Sequence, residues 1–123
     1  MSLYDDLKNS EPYINKKNGQ QIQAAFCFKS ELDLFKGHFP GNPILPGIFQ
    51  IEMVKYSLEK SFNICLCIHS VKKTKFSNLI HPGETVYLDI MIAVKEISQF
   101  KVKATLQVGD SIAGKINLEL TKK

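Results

Sequence analysis

Hydrophobic and polar residues alternate one by one in five segments of this chain. Alternation with period two is typical of strands that bury one face and expose the other. Turn-forming residues at 81–84 and 109–110 separate neighbouring segments in the second half. The pattern therefore predicts five strands, at residues 22–28, 64–68, 86–94, 100–108 and 112–120, and the second of these can extend toward Phe76.

The segment between the first two predicted strands follows a helical pattern instead. Residues 48–62 contain neither Pro nor Gly and follow Pro46-Gly47, and proline suits the start of a helix because its missing N–H would be unpaired there. A surface helix normally has a single apolar stripe. We expect this helix to be covered on two sides, and a partner subunit and a buried contact within the chain explain the second side equally well. Its two apolar arcs consist of Ile51, Val54, Leu58 and Phe62, and of Phe49, Met53 and Tyr56.

The order of these elements is a strand, a helix and then four strands joined mostly by short turns, which predicts an α+β fold. An antiparallel sheet with one apolar face would cover the helix. We expect one domain that spans residues 1–123, because this length fits a single compact unit. Residues 1–20 are mostly polar and include Pro12 and the turn-like Asn18-Gly19, so they are predicted to form a loose lead-in.

Composition and charge argue against several classes of function. The hydrophobic fraction of 44% and the charged fraction of 23% are those of an ordinary globular protein. The net charge of +4 comes without a long basic run, which argues against a nucleic-acid partner. The positive charge would favour an acidic partner, although general solubility explains it equally well. The sequence contains no run of 18 apolar residues, so it predicts no membrane span. The first residues lack the apolar core of a signal peptide.

The three cysteines are an odd number and show no spacing of a secreted disulfide framework. Cys65 and Cys67 lie two apart in an apolar run, which predicts buried thiols on a strand and favours the reducing cytoplasm as the location. His69 would share their strand face. At about 3.3 Å of rise per residue, Cys65 and His69 would lie roughly 13 Å apart, too far to bind one metal ion.

The most informative segment runs from Phe35 to Glu52. It reads Phe-Lys-Gly-His-Phe-Pro-Gly-Asn-Pro-Ile-Leu-Pro-Gly and continues through Ile-Phe-Gln-Ile to Glu52, so that His38 and Glu52 stand fourteen residues apart. The second half adds Lys75-Phe76 and then a His-Pro-Gly-Glu turn at 81–84 before a strand. Together these positions resemble the signature of the β-hydroxyacyl-acyl-carrier-protein dehydratases, which have the hotdog fold.

The resemblance implies an antiparallel β-sheet wrapped around one central α-helix. It implies elimination of water from a (3R)-hydroxyacyl thioester on an acyl carrier protein, giving a trans-2-enoyl thioester in fatty-acid or related synthesis. His38 would be the base and Glu52 the acid, and the Gly47 N–H would bind the thioester oxygen. Phe39 and Pro46 would be further substrate-binding residues. The resemblance implies neither a cofactor nor a metal, and it implies a homodimer or larger assembly whose subunits share each site.

These roles meet the physical needs of the reaction. A neutral imidazole is a suitable base near pH 7, and a carboxyl group held partly away from water can keep its proton and act as the acid. Amides at a helix N-terminus carry partial positive charge and can stabilise an oxygen that becomes negative. Gly47 has no side chain, so a thioester could approach its backbone closely.

Other interpretations stay open from the sequence. His38 could be a turn histidine, and Glu52 could pair with Lys55 or Tyr56 on a solvated face. A hotdog thioesterase would use the acidic residue to direct water at the thioester, and a non-catalytic acyl-binding subunit would need neither residue. Five lysines could form a basic patch for an acidic carrier protein or could simply be solvated: Lys72, Lys73, Lys75, Lys101 and Lys103.

The chain departs from the resembled family directly after the acidic residue. That family commonly has Ala-Met-Ala-Gln there, whereas this chain has Met53-Val54-Lys55-Tyr56, which leaves the preferred acyl length open. Glu rather than Asp at position 52 favours the plain dehydratases over the branch that also isomerises the double bond.

Overall fold

The computed structural model describes residues 3–10, 12–29, 35 and 44–123. Two helices and seven strands make up the described part of the chain. In chain order they are α1 (Leu3–Asn9), β1 (Tyr13–Asn18), β2 (Gln21–Cys27), α2 (Gly47–Phe62), β3 (Leu66–Val71), β4 (Lys75–Phe76), β5 (Thr85–Lys95), β6 (Gln99–Val108) and β7 (Ser111–Lys122). Among these residues, no helix combines the length and the apolarity needed to cross a membrane.

All seven strands belong to one antiparallel sheet. Its strands follow the order β1-β2-β5-β6-β7-β3, and β4 also pairs with β7. Along β6 the apolar residues are buried while Lys101 and Lys103 are exposed, as expected for a sheet with one covered face. The predicted α+β class and the five predicted strands, which correspond to β2, β3, β5, β6 and β7, are confirmed.

The prediction of a loose lead-in at residues 1–20 is wrong for most of that segment. Residues 3–9 form α1, whose Leu7 is buried in the core, and residues 13–18 form β1, which pairs with β2. The turn at Asn18 and Gly19 joins the two strands, and the Gln20 N–H donates to Asn18 Oδ1 at 2.7 Å. The sequence hid β1 because this strand lies at the edge of the sheet and most of its side chains are exposed.

Helix α2 packs against the covered face of the sheet and is buried there on a broad face. Its start lies one residue before the predicted start, and its end at Phe62 is the predicted one. Both apolar arcs contribute buried side chains, and the described part of this one chain covers them. A contact within the chain therefore explains the second arc. The buried residues of α2 are Phe49, Gln50, Met53, Val54, Tyr56, Ser57 and Leu58.

Two further sequence predictions differ from the structure. Strand β3 ends at Val71 because residues 72–74 leave the ladder, where the Asn117 side chain donates to Lys73 O, and residues 75 and 76 pair separately as β4. The cysteine thiols are not buried, since Cys27, Cys65 and Cys67 are all exposed. Leu66 and Ile68 turn toward the core, so Cys67 between them must face outward.

Candidate functional site

The N-terminus of helix α2 is held in place by the segments around it. Pro46 has extended backbone angles, and its carbonyl accepts hydrogen bonds from the N–H groups of Phe49 and Gln50. The Leu45 N–H donates to Ile80 O at 2.7 Å, which ties the entry to α2 to the connection between β4 and β5. Among the described residues no side chain caps this end, and the first N–H groups of a helix have no acceptor within the helix.

A cavity of about 300 Å³ lies at this helix N-terminus. It joins the segment that leads into α2 with the segment that begins at β4, so its walls come from two distant parts of the sequence. Most of its lining is apolar, with three polar side chains. The lining residues are Ile44, Leu45, Pro46, Gly47, Gln50, Phe76, Ser77, Asn78 and Leu79. Two of the residues predicted to bind substrate, Pro46 and Gly47, thus lie together at one cavity.

Gly47 is in close contact with the aromatic ring of Phe76. A Cβ atom at position 47 would lie 2.7 Å from Phe76 Cε2 and 2.9 Å from Phe76 Cζ, distances that real Cβ atoms do not adopt. The ring itself is 44% exposed. Position 47 therefore requires glycine as long as the ring of Phe76 keeps this position.

Glu52 lies on a different side of helix α2 and does not line this cavity. Its side chain is 27% exposed, and Glu52 Oε2 lies 3.6 Å from Lys55 Nζ, so the pairing that the sequence left open is present. Ile48, one turn earlier on the helix, is 68% exposed. Glu52 thus stands at the border between the buried helix face and an exposed apolar side chain.

His38 and Phe39 lie outside the described residues, so their predicted roles stay predictions. Phe35, the first residue of the motif that contains them, is described and is buried in the core. The structure therefore brings Pro46 and Gly47 together and places Glu52 on the neighbouring exposed side.

Gln50 is a residue of the site that the sequence did not indicate. Its side chain is only 3% exposed and lines the cavity at the start of α2. Gln50 Nε2 donates to Leu45 O at 3.3 Å, whereas Oε1 has no hydrogen-bond partner among the described residues. The sequence feature that could have indicated Gln50 is its position as a polar residue between the apolar Phe49 and Met53, on the buried side of a helix.

Four of the five lysines proposed as a basic patch surround one groove on the sheet. Lys72, Lys73, Lys101 and Lys103 line this groove of about 440 Å³, in which Glu119 supplies a carboxylate 3.9 Å from Lys72 Nζ. Lys75 is exposed but does not line the groove. The patch is therefore positive overall, with one acidic side chain inside it.

Comparison with known families decides the relationship of this chain. Residues 14–113 match the ApeI-like family, described as ApeI dehydratase. The chain belongs to the ApeI-like dehydratase family. The ApeI-like match covers most of the sheet, all of helix α2 and every residue that lines the cavity at its start.

Curated relatives of this ApeI-like chain are 3-hydroxyacyl-[acyl-carrier-protein] dehydratases. The enzyme FabZ of Caulobacter vibrioides is 30% identical over 103 residues, which are 76% of this chain and 65% of that protein. FabZ of Lactiplantibacillus plantarum is 28% identical over 120 residues, which are 92% of this chain and 76% of that protein. The chain thus spans slightly less than two thirds of the Caulobacter relative.

Several solved structures have a fold similar to that of this ApeI-like chain. The dehydratase heterocomplex ApeI:P from Xenorhabdus doucetiae has a TM-score of 0.77 and 24% identity, with 89% of this chain and 94% of that chain covered. The Escherichia coli PaaI protein, from the phenylacetic acid degradation operon, has a TM-score of 0.71 and 8% identity, with 98% and 88% covered. At these identities the likeness concerns the fold alone, and it confirms the hotdog fold that the motif implied.

Proposed function

We propose that this chain is a dehydratase that eliminates water from a (3R)-hydroxyacyl thioester to give a trans-2-enoyl thioester. The observation that carries the proposal is the N-terminus of α2, where the Gly47 backbone borders a largely apolar cavity and no described side chain caps the helix. Such an end offers N–H donors and partial positive charge to an oxygen that becomes negative during the reaction. Family membership and the dehydratase relatives support the same reaction.

In the proposed mechanism the Gly47 N–H donates to the thioester carbonyl oxygen, which makes the hydrogen on C2 more acidic. His38 takes that proton, and the C2–H electron pair forms the double bond to C3. Glu52 donates a proton to the hydroxyl group on C3, whose bond to carbon breaks as water leaves. Each proton transfer to or from a well-placed side chain contributes about 10² to 10⁴ in rate.

The proposal includes a second copy of the chain over the exposed side of α2. Three apolar residues on this side are exposed: Ile48, one turn before Glu52, and Phe76 and Leu79, which line the cavity. Exposed apolar side chains near a site favour a protein contact. In the proposed dimer, His38 of one chain acts together with Glu52 of the other. On purification alone the chain is expected to sediment as a dimer. An inactive monomer would indicate a different partner chain, as the Xenorhabdus neighbour is a heterocomplex.

An acyl carrier protein is the proposed carrier of the substrate. Carriers of this class are acidic, and the groove lined by Lys72, Lys73, Lys101 and Lys103 offers complementary charge on a protein of net charge +4. The nearby segment from β4 leads directly to Phe76 at the cavity. A carrier on this groove could therefore direct its thioester arm toward the start of α2.

The direct test is hydration of a short 2-enoyl thioester, the reverse reaction, by the purified chain. His38→Ala and Glu52→Gln are each expected to lower kcat/KM at least ~100-fold without loss of the folded state. His69→Ala and Glu96→Gln are the matched controls, since both residues are exposed and neither lines the cavity. Undiminished hydration by His38→Ala would contradict the mechanism. Mass analysis separates addition of water from loss of the acyl chain, which a thioesterase would cause.

A further inference from the structure

The side chain of Gln50 is an amide buried between helix α2 and strand β7. A Cβ atom added at Gly114 on β7 would lie 3.2 Å from Gln50 Oε1, so the amide fills the space that the glycine leaves. A buried polar atom without a hydrogen-bond partner is destabilising, and native proteins keep few of them. Gln50 Oε1 is such an atom among the described residues. This feature requires an explanation that packing alone does not provide.

The contacts of Gln50 determine which atom of its amide lacks a hydrogen-bond partner. Its Nε2 donates to the carbonyl oxygen of Leu45 at 3.3 Å. In the opposite orientation two carbonyl oxygens would face each other, because both Gln50 Oε1 and Leu45 O are acceptors. The unpaired atom is therefore an acceptor, and its missing partner must be an N–H or O–H donor.

This acceptor lies beside the cavity at the start of α2. The ring of Phe76 touches both glycines, with Cε2 2.7 Å from a Cβ position at Gly47 and Cδ1 3.3 Å from a Cβ position at Gly114. Gln50, Gly47 and Phe76 all line the cavity. A half-exposed ring can turn outward, and a ligand in its place would meet N–H donors at Gly47 and an acceptor at Gln50.

Donor and acceptor match one particular ligand chemistry. Three residues of helix span about 4.5 Å along the axis, so a ligand that meets both groups needs an oxygen acceptor and an N–H only a few bonds apart. A thioester on an aminoethanethiol arm has this pattern, with the thioester oxygen and, two carbons beyond the sulfur, an amide N–H. Gln50 and Glu52 differ by about 200° around the helix, so Gln50 faces away from the side that carries the proposed acid.

We propose that Gln50 is a substrate-binding residue whose Oε1 accepts a hydrogen bond from the amide N–H of this thioester arm. The proposal rests on the proposed thioester function and extends it from the acyl group to the arm. Gln50 recognises the arm through one N–H, so the enzyme discriminates against an otherwise identical arm that lacks it. Gly114 is part of the same arrangement because a side chain there would displace the amide.

Two synthetic substrates that differ by one group test the proposal. One is the S-(2-acetamidoethyl) thioester of a 2-enoic acid, and the other is the S-(2-acetoxyethyl) thioester, in which oxygen replaces the N–H. The native chain is expected to hydrate the first with a kcat/KM roughly two- to twelvefold higher, the range of one net hydrogen bond. In Gln50→Met the ratio of the two kcat/KM values should fall to about one, because the acceptor that distinguishes the two substrates is gone.

Two further variants make the result specific. Gly114→Ala retains Gln50 but moves its amide by a few tenths of an ångström, so it should weaken the preference. Ser57→Ala is the matched control, because Ser57 is another buried polar residue of α2 whose hydroxyl donates to Met53 O at 2.8 Å, away from the cavity. The control should keep the native ratio. Thermal unfolding of each variant confirms that folded protein is compared.

The outcomes separate the two proposals. A ratio that stays at the native value in Gln50→Met overturns the role of Gln50 and leaves the dehydratase proposal intact. A native chain that hydrates both substrates equally well also overturns the role of Gln50. A native dimer that hydrates neither substrate contradicts the dehydratase proposal, and the role of Gln50 falls with it.

Discussion

The substitution Gly47→Ala tests whether the N-terminus of α2 has a catalytic role, because its effects on activity and on stability should differ. In Gly47→Ala the new Cβ would lie 2.7, 2.9 and 3.2 Å from three atoms of the Phe76 ring, so something must move. The atoms in question form the far end of a side chain that is 44% exposed. The ring can therefore turn toward solvent, whereas the backbone at the start of α2 stays fixed by its hydrogen bonds.

The expected effects on stability and on activity differ strongly. Overpacking a closed core costs about 1–3 kcal/mol, but an exposed ring that can yield lowers this cost, and alanine gains up to about 1 kcal/mol over glycine in a helix. The net change in the free energy of unfolding should therefore stay within about 1 kcal/mol, which is roughly 4 °C in Tm. The methyl group would occupy the space beside the Gly47 N–H that a thioester needs. Loss of one such donor costs about 10²–10³ in rate, or at least about 2.7 kcal/mol of transition-state stabilisation.

Both quantities should be measured on the same preparation, by thermal unfolding followed with circular dichroism and by hydration of a short 2-enoyl thioester. Gly19→Ala is the control, because a Cβ at that turn meets no atom within 4 Å. Folded Gly47→Ala protein with more than a third of the native kcat/KM would refute a role for the Gly47 N–H. A loss of more than about 3 kcal/mol in stability would refute the reasoning that the Phe76 ring can yield.

Three further predictions concern acyl length, a turn and the basic groove. Met53→Ala should cost about 2–5 kcal/mol in the free energy of unfolding by urea denaturation, because this side chain is fully buried. If Met53 limits the acyl space, the same variant should shift the preference in a series of acyl lengths toward longer chains; an unchanged profile would contradict this. Gly83→Ala should cost about 1–2 kcal/mol because φ is 85° there, and a loss as small as that of Gly19→Ala would argue otherwise. Combined Lys101→Glu and Lys103→Glu should raise KM for a carrier-bound substrate in a salt-dependent way and leave small thioesters unaffected; equal effects on both substrates would exclude carrier docking there.

Patterns local in sequence predicted most of the sheet and all but the first residue of helix α2. The stretch 48–62 has no helix breaker and follows Pro46-Gly47, and the later strands alternate cleanly between short turns. The orientation of Cys67 could also have been derived. Strand side chains alternate between the two faces of a sheet, so a buried Leu66 requires Cys67 to face outward. The prediction of a buried Cys67 is inconsistent with this alternation.

Elements that depend on distant contacts could not be predicted in the same way. Helix α1 has seven residues, and helices this short are marginal in isolation, so the burial of Leu7 in the core stabilises it. Strand β1 is supported by its pairing with β2 rather than by an alternation of its own. The site shows the same division. Gly47 and Pro46 belong to a continuous motif, whereas the environment of Gln50 depends on Gly114 on β7, and no local pattern links these two positions.

The functional groups of α2 are separated by direction as well as by sequence. Gly47 presents its backbone at the end of the helix, Gln50 points toward β7, and Glu52 borders the exposed side near Ile48. A helix turns about 100° per residue, so a single rigid element can present three groups in three directions without any of them competing for space. The cavity wall meets only the first two. A carboxyl group on the third side can reach the same substrate only where another surface closes over it, and the exposed Ile48 beside Glu52 is where a second chain would do so.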